Sequence, residues 1–447
     1  MQPQTPRRHR NTAAAAGAVR PALLTALAAP AALTLTLALV AVFAMPTARI
    51  ASAHEPDAHA VDARLASDTD VAADAHIAAD AADIAAADAN IPAMTSLSTW
   101  RYNHDAHRGA YRLSDGRTGT NLADVQALLF DASSVFVRST GIPRYDIGPF
   151  NDRNPAVPGA QDYLFRLPLA PSAAASPRAT GLGNIGAFVN GVPMYNALDA
   201  FSWSAAGGAD VPNMGGMGGQ RGDGVWNRNA AIAERRGFDS CLGHPAPGRA
   251  QNGGAASGRY HHHIDPICLR TELGDTDPTR HSPIIGWAFD GYPLYGPYGY
   301  GDPNDPASPV RRMRSSYAVR AITTRTTLPD GSAVPAGKEG PPVSAAFPIG
   351  WYAEDFVFQA GAGDLDAFNG RFARTPEFPD GTYAYFTTID EAGQPAYPYL
   401  IGPRYRGEVA ADNLGPMARV SVPPGAATWI PPLGTAARRR RRRTCRR

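Results

Sequence analysis

The chain has 447 residues, of which 44% are hydrophobic and 18% are charged, so it can build a sizeable core and is not disordered throughout. Its 45 Gly and 41 Pro residues interrupt helices and argue against a long helical bundle. The net charge of +2 reflects Arg-rich ends, because residues 1–53 hold five Arg and no acid and the last ten residues hold eight Arg. The rest of the chain is acidic, which argues against a nucleic-acid groove across the fold.

The first 53 residues have the parts of a secretory signal. Arg7 to Arg20 precede an apolar run from Ala22 to Met45, and Ala51-Ser52-Ala53 provides a small-x-small cleavage site. The run has 24 residues and could span a bilayer, so an uncleaved anchor is the alternative. The sequence predicts a signal peptide or N-terminal anchor at 1–53, no other membrane span, and an extracytoplasmic location in the periplasm, at the cell surface or as a secreted protein.

Two biased segments lie on either side of the middle of the chain. Residues 54–90 contain 15 Ala and 8 Asp and no aromatic residue, too little apolar surface to offset the entropy of ordering. Near the other end, Pro-Pro pairs interrupt the chain before Arg438–Arg443. We predict a disordered Ala/Asp-rich spacer at 54–96 and a disordered Pro-rich and Arg-rich tail at 411–447, with one folded domain between them at 97–410.

Short aromatic or β-branched runs separated by turn dipeptides fill this domain. The runs that predict strands are Asp162–Leu167, Gly186–Met194, Ile284–Tyr295 and Thr382–Ile389. Asn190-Gly191, Asp290-Gly291 and Asp380-Gly381 predict tight turns, since Asn or Asp before Gly tolerates positive φ. Helical periodicity is brief, at Asp124–Phe130 and Asn229–Arg236. The pattern predicts a mainly β fold, a single compact β-sandwich-like domain with hairpins and few short helices.

One predicted hairpin recurs 100 residues later. Residues Ile185–Tyr195 align without gaps with Ile285–Tyr295, and five of the eleven positions are identical. Pro193 and Pro293 each follow the turn Gly by two residues, as in edge strands that need no ladder N–H. We interpret the pair as related hairpins of a repeated β-unit. Two unrelated hairpins that share turn chemistry are the alternative.

A group of His residues in the domain is a candidate metal site. On an extended strand, the first and third His of the Tyr260-His-His-His run share a face, while His262 points away. Imidazole suits zinc, copper, iron or nickel, and we suspect copper or zinc. The candidate ligands are His244, His261, His263 and His281. The alternatives are a structural role in an aromatic core around Tyr260, and acid–base catalysis without a metal.

Cys241 and Cys268 lie on either side of the His run and are the Cys residues of the predicted domain. In an oxidising compartment such a pair is most simply a disulfide. Two thiolate ligands for zinc are the alternative.

The chain resembles the YHYH-domain family, secreted or membrane-attached proteins named for a Tyr-His-Tyr-His motif. The segments that carry the resemblance, between about Phe188 and Gly407, are Gly243-His244-Pro245, Tyr260-His261-His262-His263, His281-Ser282-Pro283-Ile284-Ile285-Gly286, Phe289–Gly299, Asn369-Gly370-Arg371-Phe372, Thr375-Pro376-Glu377, Gly381–Tyr385 and Tyr397–Gly402. His262 replaces the second Tyr of the motif, which keeps both same-face His residues. Phe368 stands where many relatives have Cys. The resemblance implies kinship of fold and carries over no activity.

Three classes of function remain. The first is an extracytoplasmic protein that holds copper or zinc through the His residues. The second is a metal-dependent enzyme, such as an oxidoreductase. The third is a metal-free surface module that binds glycan or protein.

Overall fold

The computed structural model describes residues 95–150, 156–213, 221–247, 257–414 and 419–431. The predicted signal peptide or anchor, the spacer up to residue 94 and the Arg-rich run lie outside these residues. Within the described part of the chain, no helix is both long and apolar enough to cross a membrane.

Short strands dominate the described residues, which confirms the predicted mainly β fold. The strands are β1 (Arg108–Arg112), β2 (Thr118–Leu122), β3 (Val125–Phe130), β4 (Ser134–Ser139), β5 (Val157–Pro158), β6 (Tyr163–Pro168), β7 (Asn184–Phe188), β8 (Pro193–Tyr195), β9 (Leu198–Ser204), β10 (Ala209–Pro212), β11 (Asn227–Asn229), β12 (His244–Ala246), β13 (Ser257–His261), β14 (Ile284–Ala288), β15 (Pro293–Tyr295), β16 (Tyr298–Tyr300), β17 (Val310–Arg312), β18 (Tyr317–Val319), β19 (Phe356–Phe358), β20 (Gly370–Ala373), β21 (Thr382–Phe386) and β22 (Ala427–Trp429). The helices are α1 (Ala230–Ala233) and α2 (Ile267–Leu273), with 3-10 turns at Ala353–Asp355 and Ala411–Asn413. Residues 95–98 form a further helical turn.

The strands form one large sheet and several small ones. The six-stranded sheet has the order β20-β21-β15-β14-β7-β8, and a four-stranded sheet has the order β22-β3-β4-β6. The smaller sheets are β10-β9-β11, β12-β13-β5, β1-β2, β16-β17 and β18-β19. The two large sheets contact each other, since the Ser139 hydroxyl donates to Gly191 O at 2.9 Å and the Phe165 and Phe289 rings are 5.6 Å apart. Their packing gives the sandwich-like arrangement.

Two segments differ from the sequence-based expectation. The predicted helical stretch Asp124–Phe130 is mostly strand β3, because pairing with β4 and β22 outweighs its helix-like apolar spacing. Strand β22 lies within the predicted disordered tail, where Trp429 pairs with Leu128 at the free edge of β3. The short Ala427–Trp429 segment forms backbone hydrogen bonds with β3 there, and no local sequence pattern predicts this pairing.

The recurring hairpins lie side by side at the centre of the six-stranded sheet. β7 pairs with β8 and β14 with β15 in the same register, 100 residues apart. β7 and β14 also pair antiparallel with each other, with Ala187 opposite its own counterpart Trp287. Gly186 and Gly286 lie beside this pair, and a Cβ at either position would come within 3.0 Å of neighbouring atoms. The two hairpins are therefore related by a local two-fold axis.

Each hairpin is extended by a later strand in a matching position. β8 bridges in parallel from Met194 to His262, and β15 pairs in parallel with β21 through Leu294 and Tyr385. On the outer side, β12 pairs with β13 and β20 with β21, both antiparallel. The first repeat comprises residues 184–195, 239–246 and 257–264; the second comprises residues 284–295, 366–373 and 382–387.

Both repeats contain the same pairing of a buried Tyr with an Asp. Tyr260 OH donates to Asp239 at 3.0 Å, and Tyr383 OH donates to Asp366 at 2.9 Å. In each repeat the Asp also accepts hydrogen bonds from the backbone N–H groups two and four residues later. This agreement in hydrogen bonds and register supports a repeated unit rather than two hairpins with a common turn.

A Cys241–Cys268 disulfide links the first repeat to α2, as the sequence predicted. We expect the Cys241→Ala/Cys268→Ala variant to lose about 3–4 kcal/mol of unfolding free energy, because the bond closes a loop of 27 residues. Urea denaturation measures the loss, and Cys445→Ala serves as a control that should leave stability unchanged. A double variant as stable as the parent protein would contradict the expectation.

Asp290, in the turn of the second hairpin, is fully buried. Burial raises its pKa to about 6, although Tyr385 OH and Gly407 N donate hydrogen bonds to its carboxylate. The matching residue of the first repeat is Asn190, an amide that carries no charge.

We expect Asp290→Asn to remove a pH-dependent part of the stability. The folded-state pKa of Asp290 lies above the unfolded value, so its contribution is present below about pH 4 and lost as pH rises through about 6. The stability of the variant relative to the parent should therefore rise by about 2 kcal/mol between pH 4 and pH 7. Urea titrations at several pH values measure the difference, and a flat difference would contradict the expectation.

Candidate metal centre

Hairpin pairing and strand alternation bring three His side chains together in the first repeat. His244 of β12 lies opposite His261 of β13, and their ring centroids are 4.6 Å apart. The chain stays extended through His262, so His263 returns to the same face, where its ring centroid is 4.8 Å from that of His261. His261 Nε2 and His263 Nε2 are 3.0 Å apart.

Glu234 adds a carboxylate to this group. It ends the short helix α1, whose first turn is capped by Asn229. Its Oε2 atom lies 3.1 Å from His263 Nε2 and 3.3 Å from His244 Nε2. The four side chains each offer one ligand atom, and these atoms all lie within 4.8 Å of one another. We call this set the His/Glu cluster: Glu234, His244, His261 and His263.

Backbone carbonyl groups fix the tautomers of two of the rings. His261 Nδ1 lies 2.9 Å from Arg259 O, and His263 Nδ1 lies 2.5 Å from Asn196 O. A carbonyl oxygen only accepts, so both Nδ1 atoms carry the proton and both neutral rings present a bare Nε2. The two Nε2 atoms are 3.0 Å apart. Two bare acceptors at this distance repel each other, and a shared proton or a metal ion bound by both would relieve the repulsion.

Aromatic rings enclose the cluster. Tyr195 stacks on His261 with 3.9 Å between ring centroids, and Phe238 meets His244 edge-on at 5.0 Å. The three His residues are almost fully buried, whereas the Glu234 side chain is 25% exposed. The cluster is therefore dry on most sides and reaches solvent beside Glu234.

The charges in the cluster depend on one another. Burial would raise the pKa of Glu234, but the adjacent His244 and His263 rings outweigh burial and hold that pKa well below its usual range. Burial lowers the pKa of His261, and the neighbouring imidazoles lower it further. Burial likewise opposes a charge on His263, yet Glu234 raises the pKa of this ring overall. The cluster thus combines a carboxylate, a neutral ring and a ring whose protonated, positively charged form the carboxylate stabilises.

His262 points away from the cluster, as strand alternation predicted. Its Nδ1 donates to Leu242 O at 2.9 Å, and its Nε2 lies 3.2 Å from Tyr145 OH. Burial lowers its pKa to about 3. His262 thus belongs to the packed opposite face.

His281, the fourth ligand expected from the sequence, lies elsewhere. Its Nδ1 donates to Ser282 O at 2.7 Å, and its ring contacts Tyr295, Tyr300 and Phe386. Tyr295 and Phe386 match Tyr195 and His263 of the first repeat. His281 precedes β14, so the fold carries it to the second repeat although it is close to His263 in sequence. Glu234 takes the fourth position in the cluster.

Sequence reasoning missed Glu234 because nothing in its local sequence distinguishes it. It lies in the predicted helical segment Asn229–Arg236, ten residues before His244, and no metal-ligand motif includes it. Pairing of β11 with β9 and the α1 turn set its position. Cys241 and Cys268 are bonded to each other, so neither offers a thiolate ligand.

A family model described as YHYH protein matches residues 164–397, more than half of the chain. The matched range includes both repeats and the His/Glu cluster. Comparison with curated proteins and with solved structures gives no match.

Proposed function

Because the chain belongs to the YHYH family, we propose that it is an extracytoplasmic member that holds one transition metal ion, copper or zinc, in the His/Glu cluster. The observation that carries the proposal is the geometry of His261 and His263. Their Nε2 atoms are 3.0 Å apart, and their Nδ1 atoms both donate hydrogen bonds to backbone carbonyl groups. Metal-binding His residues commonly donate the second ring N–H in this way, which fixes the ligand nitrogen towards the metal.

Comparison of the repeats supports a bound positive charge at the His/Glu cluster. The second repeat has Arg371, Ala384 and Phe386 where the first has His244, His261 and His263. The Arg371 guanidinium carbon lies 5.6 Å from the centroid of the Phe386 ring. A permanent cation thus lies near the matching position of the second repeat. The first repeat lacks that side chain and offers three imidazoles and a carboxylate instead.

The donor set narrows the choice of ion. Imidazole nitrogen with one carboxylate oxygen suits zinc and copper, whereas calcium and magnesium prefer oxygen ligands. With both cysteines of the folded domain in a disulfide, a thiolate-based site is excluded there. The cluster would serve as the ligand set, and a bound ion would supply positive charge between the lone pairs.

An extracytoplasmic location is the second part of the proposal. Disulfides persist in oxidising compartments, and a Cys241–Cys268 bond is present. The N-terminal apolar run with its preceding Arg residues supports export.

Metal analysis tests the proposal directly. Protein purified from its exported form without added metal should contain about one copper or zinc ion per chain. His261→Ala and His263→Ala should each lose the ion, while His281→Ala, which removes a partly buried His outside the cluster, should retain it. Inductively coupled plasma mass spectrometry measures the content. Loss in His281→Ala as complete as in His261→Ala, or a parent protein that takes up no metal, would refute the proposal.

Metal removal should also lower stability, because an ion that binds only the folded state stabilises it. With free metal at about a thousand times the dissociation constant, the stabilisation is about 4 kcal/mol. We expect a chelator to lower the melting temperature of the parent protein and one equivalent of metal to restore it. His263→Ala should respond to neither, and an equal response in that variant would assign the effect to another site.

A further inference from the structure

The two repeats have a matching surface, and other segments of the chain cover more of this surface in the first repeat than in the second. In the first repeat, Ser139 Oγ donates to Gly191 O, and a Cβ on Gly141 would lie 3.6 Å from Pro193. Further along, the Phe150 ring lies 6.2 Å from the ring of Tyr260. Residues 139–150 thus cover this face.

In the second repeat a Cβ on Gly291 would likewise lie 2.7 Å from Pro168, but the described residues leave a cleft beside Phe372. Gly291, Pro293, Phe372 and Tyr383 match Gly191, Pro193, Pro245 and Tyr260, and all four line a cleft of about 1070 Å³. The contrast is clearest at one position, where Pro245 is buried and its counterpart Phe372 is 59% exposed. Around Phe372, a surface that the first repeat covers with polypeptide is therefore left uncovered by the described residues in the second.

The cleft combines aromatic rings with one cation and one carboxylate, Asp131, which accepts hydrogen bonds from the backbone N–H groups of Ser133 and Ser134. Tyr292, Phe378 and Trp429 line it beside Tyr383. The guanidinium carbon of Arg406, also in the lining, lies 5.6 Å from the Tyr383 ring centroid. Within the described part of the chain, this guanidinium forms no ion pair with a carboxylate. The cleft thus suits a ligand with a flat apolar group and a negative charge.

We propose that this cleft binds an extended segment of a partner polypeptide, which presents an aromatic side chain to Tyr383 and a carboxylate to Arg406. Polypeptide is favoured over glycan because polypeptide covers the same surface in the first repeat, where Phe150 contacts Tyr260. The carboxylate follows from the free charge of Arg406.

The covering segment itself supplies the first probe. A fluorescein-labelled peptide of residues 141–150, Gly-Ile-Pro-Arg-Tyr-Asp-Ile-Gly-Pro-Phe, carries the aromatic rings and the carboxylate. Fluorescence polarisation with the full chain should show saturable binding. Phe372→Ala and Arg406→Gln should each weaken it at least about tenfold, as expected for anchor residues. Val319→Ala changes an exposed apolar residue outside the cleft and should leave binding unchanged.

Two further measurements distinguish a peptide ligand from a glycan ligand. Changing Phe150→Ala or Asp146→Asn within the peptide should weaken binding as much as the protein variants do, and tri-galacturonate should not compete. If tri-galacturonate binds with the same dependence on Phe372 and Arg406, the site is a glycan site and the proposal is overturned. A random twelve-residue display library is selected in parallel. If neither the probe peptide nor any library peptide binds in a manner that depends on these residues, the proposal is also overturned.

Discussion

The antiparallel pairing of β7 with β14 is the contact on which both halves of the domain depend. It places Ala187 opposite Trp287 and joins two hairpins that come from segments 100 residues apart. The pairing requires glycine at Gly186 and Gly286, because a Cβ at Gly186 would meet Trp287 O at 2.6 Å and a Cβ at Gly286 would meet Ala187 O at 2.9 Å. In the six-stranded sheet, β15, β21 and β20 follow on the β14 side of this pair and β8 follows on the β7 side.

The two repeats have the same hydrogen-bonded side chains on one face of their strands and different side chains on the opposite face. The Tyr–Asp hydrogen bond persists in both, since Tyr260 with Asp239 and Tyr383 with Asp366 occupy matching positions. On the opposite face, the first repeat has imidazoles and the second has Arg371 with apolar neighbours. A shared framework thus carries side chains of different chemistry at matching positions of one domain, and it is such side chains, rather than the scaffold, that determine function.

Sequence reasoning reached the parts of the structure that local patterns specify. The predicted hairpins at Gly186–Met194 and Ile284–Tyr295, the face shared by His261 and His263, and the Cys241–Cys268 bond all follow from period, turn dipeptides or composition. The repeat beyond the hairpins was missed because residues 239–246 and 366–373 share few identities, and the lengths of chain between the repeated segments differ. The position of Glu234 beside the His residues was also missed, and His281 was expected there because it is close in sequence, whereas sheet topology decides which residues are close in space.

The distance along the chain between β7 and β14 has a kinetic consequence. Ribosomes add about 5–20 residues per second, so the Ile185–Val189 segment of the first hairpin is made about 5–20 seconds before the strand that pairs with it. Non-local pairing of this kind delays folding and leaves apolar strand edges without partners in the interval. The first hairpin of a newly made chain would therefore lack its partner strand during that interval, in which a holding chaperone would suppress aggregation.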